Sequence, residues 1–536
     1  MVRLGWRSLC PLAIALMVWV PAGVPLIAAD RITARLVEFE RSVSVASLAR
    51  FARDGEIDAD LRFYLDRLTP AQRRNLRTAL NGSAPVTAVM VSNFLATDLG
   101  QRILQQLVKV LDQSPAVAES ALSSALILAA APSDELRMID VLEAYPLSTL
   151  RLNLVAVLAL VEQVSHELNL ENQLYARLAA LGAVPSASQP RLGTLSETGP
   201  LRYGAEPFAF TGREGTTIEA LAYLPEGPGP FPLVVLAPGL NSEMNALLYL
   251  GQHLASHGYA VAALNFPFTS GTVIRGIIQG TGLMPNPNAW ASQPHSVSDL
   301  IDQVQIRWGE RVDTAAVGVL GQSLGGYTVI ALAGAQLDWD HLRQACKALA
   351  DPHQLVLNPA VLWQCMAPGE VEQQQDFRDP RVRAAVAVNP VTNPIFSAAS
   401  MGDVAVPLLM IAGSNDLFAP PVSQQLLPYT AITQPDSLLV LQQHGTHLSF
   451  LNGDAPLPAF LIGPDRPLAR QDLQALSRAF FDRHLRQERE VAPLLQPAEA
   501  GTGTEMGVEP MPLLLRPQLS QQQLRDVVPD QRLTPR

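Results

Sequence analysis

Ala315-Ala316-Val317-Gly318-Val319-Leu320-Gly321-Gln322-Ser323-Leu324-Gly325-Gly326 reads as an apolar strand that breaks into a Gly-x-Ser-x-Gly turn and resumes as a helix. A strand-to-helix turn that tight has no room for side chains at 321 and 325, and it holds the middle serine in a strained conformation with its hydroxyl exposed. Ser323 is therefore the candidate nucleophile. The pentapeptide alone is a weak signal, because glycine-rich chains produce it by chance; here a strand pattern precedes it and a helix pattern follows.

A serine hydroxyl attacks only when a base removes its proton, and the base needs a carboxylate to fix its tautomer. Val406-Pro407-Leu408-Leu409-Met410-Ile411-Ala412-Gly413 reads as a buried parallel strand, with Ser414-Asn415-Asp416 at its carboxyl end. That edge of an open α/β sheet is where chemistry collects, so Asp416 is the candidate acid. An Asp after a strand also caps turns, and that reading stays open. Ser437-Leu438-Leu439-Val440-Leu441 is a further strand, followed by the polar loop Gln442-Gln443-His444-Gly445-Thr446-His447. His447 is the candidate base. His444 competes from the same loop, and the apolar Leu448-Ser449-Phe450 that follows favours His447. The order Ser323, Asp416, His447 is that of the α/β-hydrolases.

An oxyanion hole needs two backbone N–H groups. One belongs to Leu324, the residue after the nucleophile. The other is expected in the loop after the strand Phe231 to Ala237, where Pro238-Gly239-Leu240-Asn241 makes Leu240 the candidate; an ordinary Pro-Gly turn is the alternative. Around these residues, strands at His257 to Leu264 and Arg381 to Pro390 and helices at Ser298 to Val304 and Gln471 to Leu485 alternate as a helix-covered, mostly parallel sheet requires.

Gly321 to Gly326, Ala412-Gly413-Ser414-Asn415-Asp416 with Pro420 beyond it, and the His447 loop resemble the dienelactone hydrolase and platelet-activating-factor acetylhydrolase branch of the α/β-hydrolases. Pro238-Gly239-Leu240 is similar to the His-Gly-Leu turn of the acetylhydrolases, with Pro238 in place of the His. The stretch from Asp30 to Asn241 also resembles a bacterial family of predicted secreted hydrolases that carry a helical domain of unknown function ahead of the catalytic one. The resemblance implies an α/β-hydrolase fold and a Ser-His-Asp triad, and it says little about substrate.

Arg3 and Arg7, an apolar stretch from Leu9 to Ile27 and the small pair Ala28-Ala29 follow the layout of a secretory signal over residues 1–29. The expected location is periplasmic or secreted, with an uncleaved membrane anchor as the alternative. Beyond that segment only Cys346 and Cys365 remain, 19 residues apart (365 minus 346). In an oxidising compartment they read as a disulfide worth about 3 kcal/mol in the chain-entropy model, with two buried free thiols as the alternative. Neither cysteine has a zinc-ligand pattern, so no metal is expected, and no cofactor. Lys109 and Lys347 are the only lysines and neither sits near a motif that could use it, which argues against Schiff-base or Ser-Lys chemistry. The formal charge of −11 argues against nucleic acid as a partner.

Residues 30–188 shift to Leu, Ala, Arg and Glu with helical spacing, which predicts an all-helical N-terminal domain. In Gly100 to Asp112, for example, Ile103, Leu104, Leu107, Val108 and Leu111 share one face, while Arg102, Gln105, Gln106, Lys109 and Asp112 cover the other. Pro185 to Pro190 reads as a linker into a catalytic domain over 189–490, and 491–536 as an extended Pro- and Gln-rich tail with one short helix at Ser520 to Val527. Two insertions, Thr269 to Pro294 and Leu337 to Asp376, follow strands and carry Trp290, Trp339 and Trp363, so they are placed to wall an acyl pocket or to form plain surface loops. The expectation is an exported serine hydrolase of carboxylic esters. A lipid esterase of the acetylhydrolase kind is the alternative, with peripheral membrane contact open. A non-catalytic, partner-binding hydrolase fold is the reading from another class.

Overall fold

The computed structural model describes residues 29–528 apart from 37–38, 154, 158–172, 186–188, 282–288, 352–353, 357, 368–375, 454–458, 489–494, 496–502 and 507. The signal segment, except Ala29, and the middle of the linker lie outside the described residues.

Among the described residues the site is carried by an eleven-stranded sheet. Its centre is five parallel strands in the order β14 (Leu438–Gln442), β13 (Leu408–Gly413), β12 (Val382–Val388), β11 (Val312–Gln322) and β9 (Phe231–Ala237), with β10 (Ala260–Leu264) parallel on the far side of β9. These strands are near-continuous apolar runs because helices cover both faces and neither face is wetted. In β9, Leu233, Val235 and Ala237 enter one core and Val234 and Leu236 the other. Beyond β10 the antiparallel β8 (Thr217–Pro225) and β7 (Tyr203–Thr211) complete that edge. This is an α/β fold, and the strands expected around the elbow, the acid and the base are present.

Two expectations are corrected. The residues before 188 are not all helical: β1 (Arg31–Leu36) pairs antiparallel with β2 (Phe39–Ser44) and parallel with β5 (Thr149–Asn153), and the short β3 (Ser83–Ala84) and β4 (Leu136–Arg137) pair with each other. These strands hold because partners far apart in the chain meet, a contact that local periodicity cannot register. The tail is also built into the main sheet, together with the residues that lead into the expected linker. β16 (Leu513–Arg516) adds antiparallel to β14, β15 (Gly503–Met506) pairs with β16, and β6 (Ala183–Pro185) pairs with β15. Leu513 and Leu515 enter one core and Leu514 the other, so a four-residue run between prolines is stabilised by covering the edge of β14. Gln189 and Pro190, the last two residues of the expected linker, open the helix Gln189–Ser196, and the tail helix runs from Gln521 to Val527.

The N-terminal unit packs on both insertions. Asn93 Nδ2 donates to Ile278 O (2.8 Å) at the end of the helix Gly271–Ile278. Gln106 and Lys109 reach the second insertion, where the helices Trp339–Ala350 and Pro359–Gln364 are joined by Cys346 and Cys365, with Cα atoms 5.5 Å apart. Lys109 Nζ donates to Leu349 O (3.1 Å), Asp351 O (2.8 Å) and Gln354 O (2.7 Å), capping carbonyls at the end of Trp339–Ala350. Gln106 Nε2 donates to Leu349 O and its Oε1 accepts from Val356 N. Gln106 and Lys109 therefore do not form the solvent face their helical position suggests.

Candidate active site

At the end of β11 the chain turns into the helix Leu324–Leu332 through Ser323, whose φ of 57° and ψ of −118° lie outside the regions L-residues favour. Side chains at the flanking glycines are sterically impossible: a Cβ at Gly321 would stand 2.1 Å from Gly325 O, and one at Gly325 would stand 2.0 Å from Ala237 O. The strained backbone is clamped from both sides, since Ser323 N donates to Val388 O (2.9 Å) and Ser323 O accepts from Val391 N (3.2 Å).

The acid and base arrive from the next strands. Asp416, beyond β13, is fully buried, and its Oδ1 accepts from the backbone N–H groups of Phe418 (2.9 Å) and Ala419 (2.8 Å). Its Oδ2 lies 2.7 Å from His447 Nδ1, and His447 Nε2 lies 2.9 Å from Ser323 Oγ. A carboxylate can only accept, so Nδ1 carries the proton and Nε2 is left to accept from the serine hydroxyl. The acid and base loops are tied together by Ser414 N donating to Gln442 O (2.9 Å) and Asn415 N donating to Gly445 O (2.8 Å).

The structure thus brings Ser323, Asp416 and His447 together, whereas the backbone N–H of His444 donates to Ser414 Oγ (2.9 Å), with φ at 59°. Leu324 is the first residue of its helix, so its N–H has no intrahelical acceptor. Leu240 follows Gly239, where a Cβ would stand 2.9 Å from Ser323 Cβ, and its N–H makes no hydrogen bond among the described residues. Two free backbone donors therefore flank the serine. That loop is anchored by Asn241 N donating to Thr269 O (2.8 Å) at the start of the first insertion. Among the described residues no group of three or more His, Cys, Asp or Glu could hold a metal ion, and no helix is long and apolar enough to cross a membrane.

Two neighbours lie outside the motifs read from the sequence. Phe418 is 40% exposed, and its ring centroid lies 5.4 Å from that of His447, which puts an apolar surface against the reacting edge. Asp472, on the helix Arg466–His484, accepts from Gln442 Nε2 (2.9 Å) beneath the base loop, and burial pushes its carboxyl up to about 7. Leu468, Ala469, Ala475 and Leu476, three and four residues away on either side, put Asp472 on the apolar face of its helix, which is the local signal that marks it as buried.

A hydroxyl hydrogen-bonded to an imidazole, an imidazole oriented by a buried carboxylate and two free N–H groups beside the hydroxyl can together perform acyl transfer. Comparison with known proteins agrees at the level of class. The family described as "Alpha/beta hydrolase of unknown function (DUF1400)" matches residues 28–153, the N-terminal unit rather than the sheet that carries Ser323. Cutinase est2 of Thermobifida alba is 25% identical over 146 residues, 27% of this chain and 41% of that protein. Cutinase 2 of Thermobifida cellulosilytica is 25% identical over 146 residues, 47% of its length, and Cutinase cut1 of Thermobifida fusca is 25% identical over 146 residues, 39% of its length. The chain spans less than half the length of these curated relatives. The sheet, the match to the family and the distant likeness to cutinases together support an α/β hydrolase.

Proposed function

We propose that the protein is an exported serine hydrolase of carboxylic esters. The observation that carries this reading is the position of the His447 ring, 2.9 Å from Ser323 Oγ on one side and 2.7 Å from Asp416 on the other. Ser323 Oγ attacks the ester carbonyl while His447 Nε2 takes its proton, and Asp416 stabilises the imidazolium through Nδ1–H. The oxyanion is held by the N–H groups of Leu240 and Leu324. His447 returns the proton to the leaving alcohol, leaving an acyl-Ser323 ester, and the same groups then activate water against it. The two insertions, with Phe418 at the rim, form the acyl wall, which suits apolar acyl groups; the relatives named cutinases are consistent with ester substrates. Export rests on the sequence of residues 1–29 and on the pairing of Cys346 with Cys365.

The test is covalent labelling. A fluorophosphonate probe is expected to modify the mature protein on Ser323 alone, and Ser323→Ala to abolish both labelling and ester turnover. Labelling that survives Ser323→Ala overturns the assignment.

A further inference from the structure

Two carbonyls in succession in the base loop are each held by a buried side-chain amide from a different strand. Gln322, one residue before the nucleophile, donates from Nε2 to His447 O (3.0 Å). Asn389, one residue beyond β12, donates from Nδ2 to Thr446 O (3.0 Å) and accepts from Gly413 N at Oδ1 (2.8 Å). The amide orientation of Asn389 follows from its partners, because a carbonyl can only accept and a backbone N–H can only donate. Both residues are buried, Gln322 2% exposed and Asn389 0%. Asn389 has φ at 43°, a left-handed conformation that Asn tolerates better than most residues, and its own N–H donates to Ile411 O (2.7 Å).

We propose that Gln322 and Asn389 are positioning residues that fix the backbone of His447 relative to Ser323 and Asp416. The inference rests on the ester-hydrolase reading above. The peptide planes on both sides of the His447 Cα are each tied to another element, so the origin of the imidazole cannot drift along the sheet edge. Asn389 also ties β13, three residues before Asp416, to the base loop, so acid and base share one reference point. The neighbouring Val388 O and Val391 N hold the Ser323 backbone, which makes the short segment Val388 to Val391 a common frame for all three reacting residues. A triad functions only when its members are held within a fraction of an ångström, and a shift of about 1 Å lowers turnover by about 100-fold.

The alternative is that the two amides only satisfy buried carbonyls, and the experiment separates these roles. Asn389→Gly removes the amide while accepting the left-handed backbone, and Gln322→Ala acts on ordinary strand backbone, so the claim does not hang on one variant folding. With p-nitrophenyl butyrate as substrate, each variant is expected to lower kcat by about 10–100-fold with KM within about twofold of wild type. In a His447→Ala background the same substitutions are expected to lower the residual turnover far less, because the imidazole whose backbone they hold is gone. Unchanged kcat in a folded variant overturns the proposal, as does an equal loss in the His447→Ala background. Fluorophosphonate labelling of wild-type Ser323 runs alongside: no labelling sinks the hydrolase reading itself, while normal labelling with unaffected variants sinks only the positioning claim.

Discussion

The edge of the sheet where Ser323, Asp416 and His447 meet and the seam where the N-terminal unit grips the two insertions are held in opposite ways. At the edge, the ties are buried and largely backbone: Ser323 is clamped by Val388 and Val391, Asp416 by its own turn, and the base loop by Gln322 and Asn389. At the seam, side chains reach across to backbone carbonyls of another segment, with the half-buried Lys109 alone serving three of them. The first arrangement tolerates no displacement of a reacting atom; the second tolerates some, because a flexible side chain can follow a moving acceptor.

The sharpest way to break this comparison is at the base. His447→Ala is expected to lower kcat by about 10⁴-fold or more, whereas His444→Asn is expected to leave most of the turnover. Asn is chosen because it tolerates the left-handed backbone at 444, so the N–H to Ser414 Oγ survives. The reverse result, measured with any activated ester, moves the base to His444 and removes the contrast.

A smaller effect on turnover is expected at the seam. Replacing Cys346 and Cys365 together by Ser frees the helix Pro359–Gln364 from Trp339–Ala350. In a p-nitrophenyl ester series, turnover of long acyl chains is expected to fall by roughly 3–10-fold while acetyl turnover changes little. A long chain needs an ordered apolar wall; an acetyl group is held by the oxyanion donors. Lys109→Met should bias the series in the same direction and destabilise the protein by about 1–3 kcal/mol, since it strips a donor from carbonyls at a helix end. A flat response across chain length in both variants means that the second insertion is not the acyl wall.

The same contrast explains what could be read from the chain. The elbow, the acid strand and the base loop are local patterns, each a buried strand followed by a turn of fixed chemistry, and the fold then brings three distant turns to one edge. The seam is not local. Gln106 and Lys109 fall on the polar face of the helical pattern from Gly100 to Asp112 and read as solvent-exposed, because only the insertion, some 240 residues further along (349 minus 109), decides that this face is covered. β1, β5 and β16 were illegible for the same reason: Leu513 to Arg516 becomes a strand only because the edge of β14 is open to it. Asn389 follows a strand whose pattern is plain, yet its role depends on Thr446 in the base loop and on Gly413 at the end of β13.

The least effect on turnover is expected at Asp472, where the substitution tests the floor under the rigid edge. Burial holds this carboxyl protonated up to about pH 7, while the unfolded chain releases the proton near 4. Between those values the folded state binds more protons than the unfolded one, so this group makes stability fall as pH rises from about 4 to about 7 and leaves it level above. His253 and His484, which burial holds neutral down to about 3 and about 4, contribute the opposite slope below 6.5. The readout is therefore the difference between Asp472→Asn and wild type. The Asn side chain stays neutral at every pH and still meets Gln442, whose Oε1 is buried and otherwise without a partner. Asp472→Asn is expected to gain on wild type in thermal midpoint between pH 5 and pH 8, with kcat unchanged at pH 8. A difference that stays constant across that range means Asp472 does not change charge under the base loop, and a loss of kcat at a stable fold means the floor takes part in holding His447.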